Sequence, residues 1–573
     1  VALYWYLVPW DLARRFPACS PEKLCSPIMS GPSVWVKQAL DVHRSAQVLL
    51  VPLGNIPAKA YTMYCDIIRR YSTIPMQNLT APGDWNRQNS SALKHFDWSE
   101  GCFTFRFVDG DVTDGGLREW EDFQAYRRVL CAIGVVHFPS CQGVGGADFH
   151  ELERQFEAAV AGHRHVRCRR IFAFGHAFEQ GAYPDIIDPQ RDIVFPPEQE
   201  FEGGGSTTEL HMAVSLYDVA VSIIKELAGD IRSWNSSPTL AVVASRAMGF
   251  GAAVGAGGNG SGAGGDNLGG LPPLSSPYDG RESVSDTKTA KRRQGRLHKW
   301  IADTCLLAGS PKDALEHYSS SMSETKTLDP LWYAGCLEGY AACLVAMSDP
   351  EHPTVHGDQA LTLLKDMARD KTDLDKAAQA ASSTFMVLAE GIIVEKINEA
   401  LSVLGRYSML GTLEVELCFK AARFYSSARP QARWPEALEM LLRGLSVPDI
   451  GLQSQVEGSI EAAIICEGMG LQRKASLFSH LAALLCSEQE SYDTAHMLAR
   501  MAAEGYGISP GASTTASPGS TNSLRPRGPR PASLRRRHPS HGGGPVTPRG
   551  GSGGAPERAW FDPMTSGAGG GGR

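Results

Sequence analysis

Residues 291–346 decide the architecture: KRRQGRLHKWIADTCLLAGSPKDALEHYSSSMSETKTLDPLWYAGCLEGYAACLVA. The stretch reads as a helix, a glycine turn, a second helix and the opening of another pair. Ala302, Gly309 and Ala314 are small where two helices must cross closely, and Tyr318 follows one helical turn after Ala314. Trp332 opens the next unit about 34 residues after His298, the period of a tetratricopeptide repeat. A helix pair of this kind cannot bury its apolar face alone, so it stacks on neighbours. Gly470 and Ala475 repeat the spacing of Gly309 and Ala314, followed by Phe478, Ala482 and Ala483. The spacing therefore predicts a solenoid of TPR-like helix pairs over residues 291–507.

Upstream, strand-like and helix-like patterns alternate. Residues 46–54 (AQVLLVPLG), 102–108 (CFTFRFV), 130–138 (LCAIGVVHF) and 169–175 (RRIFAFG) read as buried strands, and 239–245 (TLAVVAS) as a short one. Helical patterns cover 58–71, 121–129, 148–162 and 207–232, the last with Leu210, Val214, Val221 and Ile224 at helical spacing. Such alternation predicts an α/β domain over 45–245 with a mainly parallel sheet. Residues 246–290 are glycine- and serine-rich and read as a linker, and 508–573 read as a disordered Gly/Pro/Arg-rich tail. Residues 1–44 read as an N-terminal extension. Its opening VALYWYLVPW lacks the basic start and cleavage site of a signal peptide, and residues 1–28 are expected to come from an over-extended or truncated gene model.

Charge and cysteines exclude some classes. Nine arginines against two acids follow Gly505, so within a formal net charge of -7 the tail carries about +7 and the body about -14. A body this acidic is not that of a nucleic-acid binder. The 13 cysteines are scattered and never spaced C-x-x-C, which argues against a zinc or thioredoxin-type site and for a reducing compartment.

No motif supplies chemistry. Gly255, Gly257 and Gly260 have G-x-G-x-x-G spacing, but inside a glycine tract with no helical pattern directly after it. The phosphate-cradling G-x-x-x-x-G-K-[ST] pattern is absent, so a GTPase-like shape here is expected to be non-catalytic. His163, His165 and Cys168 lie close in sequence among Arg164, Arg167, Arg169 and Arg170, which reads as a solvated basic turn rather than a metal site. Cys131 and Cys141 read as inert thiols. No catalytic, cofactor-binding or metal-ligating residue is therefore assigned. In the tail, the piece Arg525–Ser540 has arginines ahead of Ser533 and of Ser540, a basic piece that phosphorylation would partly neutralise.

Four blocks carry a family resemblance. Glu119-Trp120, Asp122-Phe123-Gln124 and Arg127-Arg128-Val129 form EW-x-DFQ-x-x-R-[KR]-V. Residues 170–175, RIFAFG, form R-[LI]-F-x-FG. Residues 291–296 form K-R-x-Q-G-R, followed at 308–318 by A-G-x-x-x-D-[AS]-L-x-H-Y, and 473–486 is a weaker echo. In this order they resemble the large TRAPP II subunit family, that of trafficking protein particle complex subunit nine, the NIK- and IKK-beta-binding protein. The resemblance covers roughly residues 45–505. It implies a non-catalytic scaffold subunit of a tethering complex that exchanges guanine nucleotide on Rab GTPases. It implies a cytoplasmic location, peripheral on the trans- or late Golgi membrane. It implies partners among the small core subunits, reached through an adaptor subunit, and the other large subunit, with the Rab contacted indirectly. Family members also carry C-terminal β-sandwich domains, where this chain has its Gly/Arg-rich tail. Trp120, Phe123 and Arg127, and the basic Arg292, Arg293 and Arg296, are the candidate partner contacts. Two other readings fit the same residues: a free tetratricopeptide adaptor, and a nucleotide-binding α/β enzyme.

Overall fold

A continuous apolar run bounded by turn residues forms the centre of a six-stranded sheet. Strand β1 (Ser45–Leu53) is buried at all but one position and pairs in parallel with β3 (Cys102–Asp109) on one side and β4 (Val129–His137) on the other. Beyond β4 lie β5 (Cys168–Phe174) and β6 (Asp192–Val194), both parallel; beyond β3 lies the short antiparallel β2 (Thr73–Pro75), giving the order β2-β3-β1-β4-β5-β6. The computed structural model describes residues 38–89, 92–110, 120–137, 146–174, 191–195, 207–235, 286–348, 384–407, 410–427, 432–448 and 450–507. The expectations for the N-terminal extension, the 239–245 strand, the glycine-rich linker and its G-x-G-x-x-G, Cys141 and the tail lie outside these residues.

Period-two alternation sorts the strand side chains onto two faces. Leu49, Val51 and Leu53 of β1, with Ala132, Val136 and Ile171, pack under Leu152, Phe156 and Val160 of α2 (Gly146–Val160). Val48, Leu50, Ile133, Val135, Phe172 and Phe174 face the other way, into a core shared with α1 (Ala58–Arg69) and α3 (Thr207–Asn235). On α3 the buried stripe is Met212, Leu216, Val219, Ile223 and Leu227, whereas Leu210 and Val214 are each 61% exposed. The predicted stripe is thus corrected at Leu210 and Val214, while Ile224 is fully buried and Val221 packs half-buried against the core as expected. Helix α2 also begins two residues before the expected start at residue 148.

The helical part follows as α4 (Asp286–Leu307), α5 (Pro311–Thr325), α6 (Pro330–Met347), α7 (Thr384–Leu404), α8 (Gly411–Ser427), α9 (Trp434–Leu445), α10 (Leu452–Gly468), α11 (Gln472–Glu488) and α12 (Tyr492–Gly505). Neighbours in sequence pack on each other: α4 on α5, α5 on α6, α6 on α7, α8 on α9, α10 on α11 and α11 on α12. Prolines at the first turn of α5, α6 and α9 pre-set helical φ where an N–H has no partner to lose. Helix α6 is buried on nearly every face, and its core is continuous with the sheet's. Gly339 makes this possible, since a Cβ there would drive into the Tyr318 ring of α5, and Gly335 does the same against Phe123.

Three helix ends share one closure. The N–H of Ser310 reaches the carbonyl of Cys305, that of Leu471 reaches Cys466, and that of Ser491 reaches Cys486. The residue before each donor, Gly309, Gly470 and Glu490, has φ of 85°, 74° and 60° and donates to the carbonyl three residues back. These are Schellman caps, which need the left-handed region at that position. Two use glycine. The third forces a glutamate into it, so Glu490→Gly should stabilise the protein by about 1 kcal/mol. Urea denaturation checks this, with Gly339→Ala as the opposite case, expected to cost about 1–3 kcal/mol through overpacking.

Candidate functional site

The blocks that carry the resemblance meet in space, where the sheet joins the helices. Residues 120–128 do not form the helix their pattern predicts. They make a turn at Trp120, whose carbonyl accepts the N–H groups of Phe123 and Gln124, and then a short 3-10 turn, Ala125–Arg127. The reason is competition for carbonyls. Trp300 Nε1 of α4 donates to Asp122 O at 2.9 Å and Lys299 Nζ to Phe123 O at 2.6 Å, so the oxygens an α-helix would use are taken by α4. Arg128 completes the clasp, with its guanidinium 3.8 Å from the Trp300 ring centroid and its Nε donating to Glu121 O.

Behind the clasp lies a buried ionic network. Arg127 pairs with Glu416 of α8, and Tyr126 Oη donates to Glu416 Oε1 at 2.5 Å. Lys420, one turn further along α8, lies 2.7 Å from Glu416, 2.6 Å from Glu338 of α6, and donates to Tyr126 Oη at 2.8 Å. His43, just before β1, meets Glu338 at 3.0 Å. Two acids and two bases balance, so the histidine is held neutral: burial pushes its pKa down, against the pull of Glu338. Burial alone would raise the Glu416 pKa, but Arg127 and Lys420 outweigh it and hold the carboxyl below its usual range. Glu338 is likewise raised by burial and lowered further by Lys420 and His43.

The family block on α4 and α5 extends the joint. Arg296 Nε donates to Asp329 at 2.6 Å and its guanidinium lies over Trp332; Lys299 pairs with Asp303 at 2.8 Å, which also accepts from Tyr318 Oη. Asp313 accepts the backbone N–H groups of Lys94 and His95 from the sheet side. Of the residues expected to meet partners, Phe123, Arg127 and Arg296 are thus buried in internal contacts, Trp120 is half-buried against Phe123, Arg292 is half-buried with Nε donating to Leu328 O, and Arg293 is exposed. Sequence reading missed His43, Glu338, Glu416 and Lys420. A signal was present for three of them: Glu338 is the only charge in the 18 residues of α6, and Glu416 and Lys420 sit four apart amid apolar positions.

Polar side chains are already paired at two of the strand ends. Open α/β sheets bind ligands at the carboxyl ends of their strands. Here Arg69 forks across Asp109 at the end of β3, at 2.8 and 2.9 Å, and Tyr64 Oη meets His137 Nδ1 at 2.8 Å at the end of β4. The β1–α1 connection is only Gly54-Asn55-Ile56-Pro57, too short for a phosphate loop and without its lysine. The expected basic turn at 163–170 is salt-bridged rather than simply solvated. Arg164 forks across Glu121 and Asp122 at 2.8 and 2.9 Å, and Arg167 pairs with Asp230. His165 faces the same two carboxylates at 3.9 Å, while Cys168 turns into the core beside Cys131. A cation entering there would have to displace Arg164.

Comparison with known proteins places this geometry among relatives. The family model described as Trs120/TRAPPC9, N-terminal domain, matches residues 44–253 and 267–353, more than half of the chain. The trafficking protein particle complex II-specific subunit 120 homolog of Oryza sativa subsp. japonica is 26% identical over 472 residues, 79% of this chain and 32% of that protein. Trafficking protein particle complex subunit 9 of Bos taurus is 24% identical over 64% of this chain and 30% of its own, and transport protein particle subunit trs120 of Schizosaccharomyces pombe is 23% identical over 53% and 24%. The chain spans about a third of the length of these relatives or less.

Two outcomes follow from the joint. Glu416→Ala leaves Arg127 buried without its counter-charge and Lys420 with Glu338 alone, and should cost about 3–5 kcal/mol in urea denaturation. The joint is also acid-sensitive. Burial, then Arg128, Arg164 and Arg167, hold the His165 pKa down at about 3, and burial, then His298, holds His317 at about 4. Both bind fewer protons folded than unfolded, so stability is full above about pH 6.5 and falls as pH drops from there towards 4 and 3. Denaturation midpoints at pH 7.5, 5.5 and 4.5 check this, and His317→Asn should flatten the decline.

Proposed function

Because the chain belongs to the Trs120/TRAPPC9 family of TRAPP II large subunits, we propose that it is a non-catalytic scaffold in a TRAPP II-type complex. That complex would tether vesicles and exchange guanine nucleotide on a Rab GTPase at the late Golgi. The proposal assigns the chain no reaction of its own. It holds small core subunits, through an adaptor subunit, and the other large subunit, meeting the Rab only through them. Its place is cytoplasmic and peripheral on the membrane. Among the described residues no helix is long and apolar enough to cross a bilayer.

The observation that carries this reading is the joint. The most recognisable residues of both halves, 120–128 and 291–318, are spent on locking a sheet to a set of helices. A protein that performs chemistry concentrates its distinctive residues around a cavity; a scaffold uses them to fix surfaces relative to one another. The consecutive packing of α4–α6, α8–α9 and α10–α12 supports a TPR-like solenoid as the second element of the proposal. The division into an α/β domain (45–245), linker (246–290) and solenoid (291–507) belongs to the same reading. Trp120, Arg292 and Arg293 remain the proposed contacts that a partner can reach without opening the core.

Affinity purification of the tagged chain from its own cells, at near-native abundance, tests the proposal. Small TRAPP core subunits should co-purify in stoichiometric amounts. Recovery of a clean monomer contradicts it.

A further inference from the structure

Helices α11 and α12 repeat each other at a distance of 20 residues. The closures that precede them stand at Gly470 and Glu490. Each helix also turns an equivalent buried stripe back towards its predecessor: Ala475, Phe478 and Ala482 on α11, Ala495, Leu498 and Ala502 on α12. Helix α11 carries a second buried stripe, Ser476, Ser479, Ala483 and Cys486, and this one receives α12. Gly505 lies against Ser476, where a Cβ would meet the hydroxyl, and Ala483 and Cys486 share a cluster with Ala495 and Leu498. The end of α12 thus sits on the beginning of α11, so the two run antiparallel. Steps of three and four residues keep such a stripe on one side of a helix, and its small side chains let the neighbour approach closely.

Twenty residues on, the same positions of α12 are His496, Ala499, Ala503 and Tyr506, with Tyr492 one turn ahead of them. They too follow steps of four and three, so they share one side of the helix. Here the stripe is open. Tyr492 is 66% and Tyr506 44% exposed, His496 and Ala499 are exposed, and Ala503 is half-buried. A solenoid's terminal helix ordinarily turns a polar face outward. This one keeps the central alanines and adds two tyrosines, a residue type that interfaces favour. The face therefore continues an interface the structure already contains, and on the equivalent stripe of α11 the occupant is an antiparallel helix. Residues 508–573 do not provide one. From Pro510 to Pro563 never more than seven residues separate successive prolines, too few for a helix as long as α12.

We propose that Tyr492, His496, Ala499, Ala503 and Tyr506 form a docking face for an antiparallel amphipathic helix of another subunit. That helix presents small and apolar side chains spaced as Ala495, Leu498 and Ala502 are on α12. The inference rests on the reading of the chain as a complex subunit and adds the place and form of one of its contacts. The alanines admit close approach at the middle, and the tyrosines pack over the two ends, about four turns apart.

Photo-cross-linking in the complex purified with the full chain tests it. p-Benzoylphenylalanine in place of Tyr492 or of Tyr506 keeps an aromatic ring at each end of the face. Mass spectrometry should find both adducts on one helical segment of one other subunit. The adduct of position 492 should lie about 14 residues C-terminal to that of position 506, as antiparallel packing requires. The variant A499R/A503R should lower recovery of that subunit at least about tenfold. Its thermal midpoint should stay within about 2 °C of the parent, since exposed positions carry little stability. If the double variant melts lower, Ala499→Arg alone, at the exposed position, decides by the same loss of recovery. Adducts confined to this chain, joining two of its copies or falling on unrelated segments overturn the proposal. So do adducts in the opposite order, or unchanged recovery by the variant. If no other subunit co-purifies, the scaffold reading fails and takes this one with it; if subunits co-purify and neither position reaches them, this proposal fails alone.

Discussion

Four charges that water cannot reach set the terms for this molecule. Arg127, Glu416, Lys420 and Glu338 are buried to within a few per cent, and each comes from a segment that could not keep its charge alone. An isolated buried ion costs several kcal/mol, so Arg127 requires α8 and Glu338 requires Lys420. The sheet thus cannot adopt its native surface without the helices, nor the helices theirs without the turn that precedes β4. Such a network adds little net stability over an apolar core, but it admits one arrangement and penalises every neighbouring one. A register shift of α6 by one residue would strand Glu338 and drive Gly339 away from Tyr318.

From that constraint the rest of the joint follows. Once Arg127 is anchored, the 120–124 turn lies over α4, where Lys299 and Trp300 take two of its carbonyls. With α4 fixed, Asp313 at the start of α5 reaches the backbone of Lys94 and His95 on the sheet side. Proteins that hold partners at set distances need surfaces that do not drift. Here the surfaces are set by bonds whose loss costs more than thermal motion supplies.

Much of this was legible beforehand. The strands announced themselves as apolar runs because the sheet is covered on both faces, and Gly309 and Gly470 marked helix ends because only glycine enters the left-handed region without cost. Glu490 performs the same task and was invisible, since nothing about a glutamate signals φ above zero. The segment 121–129 has a helical pattern, and only the arrival of Lys299 and Trp300 from 176 and 178 residues away turns it into a clasp. On α3, Leu210 and Val214 obey the helical period as well as Met212 and Leu216 do. Periodicity finds a stripe but not which of its positions are buried. Arg127 and Arg296 suggested surface contacts because an arginine is seldom buried; Glu416 and Asp329, which make their burial tolerable, lie far along the chain.

The most direct measurement is native-state hydrogen exchange of the intact chain at increasing urea. If the buried network binds sheet and helices into one cooperative unit, the slowest amides of β1, β4, α6 and α8 should converge on a single opening free energy and a single urea dependence. Exchange of the strands through a separate opening, at lower free energy than the helices, would show two independent bodies and contradict the account.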